Sequence, residues 1–513
     1  MDTPSTPSPT PAHELPPRLS PWAAALLGAL FALGVSQLWQ AETRWFVVGI
    51  VAIALAALAM ATAGRYAQWL LPALMFCIPL SSLERWFFFD VVSDDQYGNV
   101  VYSGALGLGP VDLAIAGLAL SWLVRTLTAP HTGRPAHGAG RAAALQPADL
   151  PVLLVLAAYL ASLWGTLVPA LGWFSTLYLA KHLFVYFYVS RHLDERSARW
   201  LLRAIYAAIV LEVLLALLQS QFGLLQGLAR DKGAGSADRQ SQYEVPGIES
   251  ARRAEGTAYD SHALGLYMAM LLPLPLIRLL DDARPWKQRL WLLPLVLAAL
   301  VALVLTYSRS AWLSALIMLL ALAGWLQLRW RNRSVLPALA VSALPLLGLA
   351  AWAAGKIVER FSSAPAEIMT TRFEQWQVAL SIWAEHPLFG VGAGNYVEAL
   401  RTMNFNSALE LPVHNVLLWI GAEQGLFGVL AFFSLVLLAL ARLLRCARRP
   451  GGLPAQLALA FAAALLAYLL DGLTNPLYRE PVVFMMLWHV LAASVALPRL
   501  LEAQDTPAPE TPR

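Results

Sequence analysis

The chain has 513 residues, 58% of them hydrophobic and only 13% charged, with a formal net charge of +4. A mean hydropathy of +0.58 over that length excludes a soluble single-core protein and assigns an integral membrane protein. The basic balance does not point to nucleic acid, because most arginines lie between apolar segments, where they set topology.

Residues 1–20 are rich in Pro, Ser and Thr and predict a disordered tail ahead of a first apolar run that reads as an uncleaved signal anchor. Apolar runs then predict helical spans near 22–38, 45–63, 67–83, 110–127, 150–168, 173–190, 197–222, 262–280, 289–306, 310–327, 335–354, 414–441, 454–471 and 480–498. The fold class is thus an all-α polytopic bundle of about 12–14 transmembrane helices. Residues 21–261 form an N-terminal helical half, 262–498 a C-terminal core, and 499–513 a second disordered tail. Cys77 and Cys446 are too few and too far apart for a disulfide framework or a metal site.

With the N-terminus inside, alternate links carry Arg134 and Arg141, then Arg191, Arg196 and Arg199, then Arg284, Lys287 and Arg289, then Arg329, Arg331 and Arg333, and last Arg442, Arg445, Arg448 and Arg449. Three loops are left for the outward side: 84–110, 223–261, and a polar excursion over 355–413, far longer than an ordinary connection. Cations there run against the topogenic rule, among them Arg252, Arg253, Arg309, Arg372, Arg401 and Arg479. Singly, such a residue snorkels or pairs with a carboxylate; several together describe an anion site.

Within the long loop, Phe373, Trp376, Leu380 and Trp383 recur at helical spacing opposite Arg372, Glu374 and Gln375, which predicts an amphipathic helix on the membrane face, either a packed lid or a substrate contact. The glycine-rich GVGAG at 390–394 follows no strand, so it reads as a turn or backbone cradle and not as a dinucleotide site. On a helix starting at His414, Gly421, Gly425 and Gly428 follow at offsets of 7, 11 and 14 and share one stripe, a face that admits a neighbouring helix or a lipid-like chain. His414 itself reads either as an interfacial structural residue or as a general base that is neutral near pH 7. Arg309, in the short turn TYSRSAW, reads either as a snorkelling helix end or as an anion ligand at headgroup depth, and His262 is a second histidine of interest. Glu212, Glu423 and Asp471 lie in or beside apolar runs, as structural partners or as coupling acids of a transporter.

At these residues the sequence resembles the O-antigen ligase family, together with its relatives the O-antigen polymerases and protein O-oligosaccharyltransferases. His414, Asn415, Gly425 and Gly428 match the ligase motif, and the TYSRSAW turn and the RFEQWQVALSIWAEHPLFGVGAGNY stretch resemble the family core, with the likeness running from about Arg253 to Gly428. The resemblance implies a GT-C-like bundle in a bacterial inner membrane, with 355–413 as a periplasmic loop. It also implies a donor glycan on undecaprenyl pyrophosphate, a lipid A-core or other glycan acceptor, and neither cofactor nor metal. Residue by residue, it implies His414 at the reacting centre and Arg309, Arg372 and, less directly aligned, Arg253 on the donor pyrophosphate. A polymerase or a protein-glycosylating enzyme of the same superfamily is the near alternative, and a polytopic transporter or flippase the distant one.

Overall fold

The computed structural model describes residues 67–83, 85–88, 105–128, 145–228, 244–245, 248–258, 260–332, 366–403 and 412–505. The expected spans at 22–38, 45–63 and 335–354 and the first tail lie outside the described residues, as do Arg134, Arg141 and Arg333. The other eleven expected spans are all helical: α1 Ala67–Cys77, α2 Pro110–Thr128, α3 Pro147–Gly165 counting a 3-10 turn at each end, α4 Pro169–His192, α5 Glu195–Phe222, α6 Ser261–Leu279, α7 Trp286–Leu305, α8 Arg309–Leu328, and then, beyond the long loop, the three that follow Val416. That loop contributes α9 Ala366–Glu385 and α10 Tyr396–Thr402, after which come α11 Val416–Cys446, α12 Gly452–Asp471 and α13 Pro481–Asp505. Eight of the described helices are long and apolar enough to cross a membrane. Two of the loops expected on the outward side also hold short antiparallel hairpins, β1 Arg85–Phe88 with β2 Ala105–Leu108, and β3 Glu244–Val245 with β4 Ile248–Arg252.

The helix ends follow local rules. Asp194, Asp260, Ser308 and Asn415 each accept a hydrogen bond from a backbone N–H in the first turn of α5, α6, α8 and α11, so four helices begin on side-chain caps. The last helix overrides the expected tail at 499–513. It runs on to Asp505, because Leu500 and Leu501 pack on the core and Arg499 donates to the Ser190 carbonyl.

Burial sorts the bundle into centre and rim. The apolar windows of α13, α6 and α12 are 94%, 83% and 78% buried, against 33% for α8 and 39% for α7. The central α12 is rich in alanine, which lets α8, α11, α13 and α6 approach it closely.

Polar contacts divide the bundle into two ends. At one, Arg191 pairs with Asp149 at 2.5 Å, Arg442 donates to the Ala148 carbonyl at 3.4 Å, Trp330 donates to the Ala447 carbonyl at 2.8 Å, and Gln456 bridges Arg278 and Asp281. The described topogenic arginines, from Arg191 to Arg449, all belong to links at this end. The opposite end gathers the turns before α4, α6, α8, α11 and α13, and there the candidate site lies.

Candidate functional site

Four separate segments supply the site, and each is fixed by backbone geometry. Arg253 directly follows β4, in a turn whose Ala254 N–H donates to the Leu305 carbonyl at 3.0 Å, at the last residue of α7. Gln219 accepts from the Glu255 and Gly256 N–H groups at 3.0 and 2.7 Å, and Glu212 accepts from the Thr257 N–H at 3.0 Å and the Thr257 hydroxyl at 2.5 Å. Arg253 is therefore held beside the turn that launches α8. In that turn Tyr307 takes φ +51°, a left-handed conformation rare for an aromatic residue, so the chain reverses within Thr306–Ser308 and Arg309 opens the helix.

The third segment is α9, and here the structure corrects the expected amphipathic face. Gln375, Val378, Ala379 and Ile382 are buried, whereas Phe373 and Leu380 are about half exposed. The expected stripe is split: Trp376 and Trp383 pack against the core, and Phe373 and Leu380 do not. Trp383 instead lies against Gly421, where an added Cβ would come within 2.4 Å of the indole, and this close approach seats α9 on α11. In a membrane protein both the packed and the lipid-facing sides of a helix are apolar, so periodicity alone does not tell them apart.

The fourth segment is the entry to α11. Asn415 caps the helix by accepting from the Leu418 N–H at 3.1 Å and donates to the Leu473 carbonyl at 3.2 Å, while the Val416 N–H donates to the Gly472 carbonyl at 2.8 Å. These bonds tie the start of α11 to the end of α12 and leave His414 just ahead of the helix. Its Nδ1 lies 2.9 Å from Gln375 Oε1.

The single glycine stripe expected along α11 does not exist, because the helix breaks at Gly425, with φ +64° and ψ −165°. The carbonyls of Ala422 and Glu423 turn to the N–H groups of Val391 and Gly392, both at 2.9 Å, and the N–H groups of Leu426 and Phe427 turn to the carbonyls of Pro387 and Leu388 at 2.8 and 3.2 Å. The segment 387–392, including the start of GVGAG, is thus a plug hydrogen-bonded into the kink. A Cβ at Gly425 would lie 2.2 Å from the Leu388 carbonyl carbon, so the motif glycine serves the docking as well as the backbone conformation. Gly428 faces Gln424 of its own helix, whose Cβ an added methyl would meet at 2.3 Å.

The charges of these segments act on one another. Burial lowers the pKa of the Arg253 guanidinium, with the neighbouring Arg309 adding to the effect. Burial followed by Arg309 does the same to Arg372. His414 is pushed down to about 4 by burial and then by the positive charge of Arg372 and the proximity of His262. Arg309 thus acts on both Arg253 and Arg372, and Arg372 on His414, with Asp260 and Asp471 as the opposing charges nearby. Arg253 and Arg372 form no ion pair among the described residues, and Arg253 Nε is buried without a hydrogen-bond partner. His262 joins the group, its Nδ1 2.9 Å from the Ser308 hydroxyl.

The apolar-run acids take local partners. Glu423 forms a buried ion pair with Arg479 and accepts from the Trp419 indole N–H at 2.9 Å, and Arg479 also donates to Ser175 at 3.1 Å. Glu212 holds the Thr257 turn. Asp471 accepts from Asn475 at 2.9 Å, and the same Asn475 amide donates to Ser310 at 2.6 Å. Of the other cations expected on the outward side, Arg401 pairs with Glu398 at 3.5 Å. Among the described residues no three His, Cys, Asp or Glu side chains gather as a metal site. Sequence reasoning names Gln375 and Arg479 without these roles, and Arg479, counted there with the outward cations of an anion site, is instead paired with Glu423; the plug at 387–392 is not foreseen as such. Only the plug carried a signal, in the glycines that end it.

The family model of the O-antigen ligases matches residues 294–433. That interval contains Arg309, Arg372, Gln375, His414, Asn415, Gly425 and Gly428, and Arg253 lies before it. No curated protein matches the chain.

Proposed function

We propose that this polytopic membrane protein, a member of the O-antigen ligase family through residues 294–433, transfers a glycan from undecaprenyl pyrophosphate to an acceptor hydroxyl, with lipid A-core as the acceptor. The observation that carries the reading is that Arg309 lies close enough to act on both Arg253 and Arg372, which come from separate segments, and that Arg372 in turn acts on His414. Guanidinium groups placed against one another repel, and a pyrophosphate bridging them converts that repulsion into charge-assisted hydrogen bonds.

The chemistry follows from that arrangement. His414 Nε2 accepts the proton of the acceptor hydroxyl as its oxygen attacks the anomeric carbon. The bond from that carbon to the pyrophosphate oxygen breaks with its electron pair leaving on the diphosphate, where the arginines hold the developing charge. Anionic donor beside Arg372 offsets part of the positive field acting on His414, so the imidazole is more basic in the loaded site than in the empty one. A single displacement inverts the anomeric carbon. Pyrophosphate already leaves readily, so the reading requires no metal.

Orientation follows from charge. The end bearing Arg191, Arg196, Arg199, Arg284, Lys287, Arg289, Arg329, Arg331 and Arg442 to Arg449 faces the cytoplasm under the positive-inside rule, and the site faces the periplasm of the bacterial inner membrane. The test is reconstitution of the purified protein with a lipid-linked glycan donor and lipid A-core, supplied separately and together, with EDTA present. Glycan on lipid A-core is the expected product. Longer lipid-linked chains from donor alone would make the enzyme a polymerase, transfer to protein would make it a protein-glycosylating enzyme, and no covalent product from any acceptor would favour a transporter.

A further inference from the structure

We infer that Gln375 is the positioning residue of His414, a neutral hydrogen-bond acceptor that fixes which imidazole nitrogen faces the reacting hydroxyl. The inference rests on the reading of His414 as the acid–base group. Gln375 is 3% exposed and its Oε1 stands 2.9 Å from His414 Nδ1. An amide oxygen only accepts, so Nδ1 carries the proton and Nε2 keeps its lone pair on the far side of the ring. The contact is held on both sides. Trp383 on Gly421 and the plug at 387–392 fasten α9 to α11, and the Asn415 cap with the Val416-to-Gly472 bond fixes the histidine's backbone.

The neutrality of the partner matters as much as its position. Arg372 lies one turn before Gln375 on α9, and His262 and Asp260 act on His414 from the start of α6; Asp471 at the end of α12 acts on Arg372. A carboxylate in place of the amide would orient the ring equally well. It would also neutralise part of the positive field that the pyrophosphate needs and would favour the imidazolium, which holds no lone pair for the hydroxyl proton. Glutamine orients without either effect.

The experiment uses the full chain in lipid nanodiscs, labelled with nitrogen-15 histidine, the His414 signals being identified by their loss in His414→Asn. Gln375→Leu removes the acceptor, and the near-isosteric Gln375→Glu retains it with a charge. The expected parent state is the Nδ1–H tautomer. Gln375→Leu should lose that preference and lower kcat by about tenfold or more with donor KM within about twofold. Gln375→Glu should keep the tautomer and move the acidic limb of the pH–rate profile up by about one unit or more. An Nε2–H tautomer in the parent, or His414 signals and pH profile unchanged in Gln375→Glu, would overturn the inference. The two readings separate cleanly: signals that move as expected in a protein without transfer activity refute the function and keep the positioning role, whereas active protein with unmoved signals does the reverse.

Discussion

Two groups of arginines flank α11, and they differ in one respect. Arg479 is buried with a carboxylate on one side and a hydroxyl on the other, so its charge is satisfied within the protein. Arg253 and Arg372 are partly buried beside Arg309 and form no direct ion pair among the described residues, although Asp260 acts on Arg253 and Asp471 on Arg372. The first pairs its guanidinium directly with a carboxylate, although Arg479 Nε is buried without a hydrogen-bond partner; the second has no such direct pair among the described residues. Residue type is the same in both, and the presence of Glu423 makes Arg479 a partner that joins helices together, whereas the others are the ones proposed to bind the donor.

The comparison is sharpened most by removing the group that only the second region has. His414→Ala should lower transfer by about 10²–10⁴-fold with donor affinity nearly unchanged, as measured by initial rates and by donor binding to the purified protein. Full activity would remove the imidazole from the mechanism. The next largest effect is on stability and belongs to the first region. Glu423→Gln leaves Arg479 buried without its charge partner and should cost about 3–5 kcal/mol, read as a lower midpoint of thermal unfolding in detergent. The double variant Glu423→Leu with Arg479→Met should recover most of that loss, and failure to recover would mean that the pair does more than hold the bundle.

Smaller still is the expected result for Arg309→Lys, which keeps the charge and loses the bidentate fork. Donor binding should weaken by about 10- to 100-fold, in line with the roughly 1.5–3 kcal/mol of a charge-assisted hydrogen bond, while thermal stability stays near that of the parent. Normal donor affinity in this variant would argue against a pyrophosphate at the Arg309 turn. A last test is a pH dependence. His414 has a folded-state pKa of about 4 against an ordinary value of 6.5, so between those limits the unfolded chain takes up a proton that the folded chain refuses. Its contribution to stability should therefore be retained above pH 6.5 and fall as pH drops toward 4, and His414→Asn should flatten that part of the stability profile.

Much of the fold was legible from the sequence because it depends on short-range composition. Apolar runs locate every described helix except the two in the long loop, α9 and α10, and Asp194, Asp260, Ser308 and Asn415 sit where helix caps belong. The polar stretch before His414 announced itself by length, and Arg309, Arg372 and His414 by chemistry that a lipid-facing segment does not need. The inner face of α9 was not legible. Phe373 and Leu380 outweigh Gln375 in any hydrophobic pattern, yet Gln375 is the side chain turned inward, because its burial depends on a histidine 39 positions away. The break at Gly425 was hidden for a similar reason: a glycine within an apolar run carries no mark of the plug that replaces its helical hydrogen bonds.

By itself, then, the sequence determined a many-helix membrane protein, the end on which its topogenic arginines collect, and the residue types from which a site could be made. Tertiary structure alone decided which charges are compensated, which nitrogen of His414 is hydrogen-bonded, and that α9 and α11 are joined through a kink. Helix formation and membrane insertion are governed by neighbours a few residues apart. Charge pairing and hydrogen-bond direction are set by groups that meet only when segments far apart in the chain pack together.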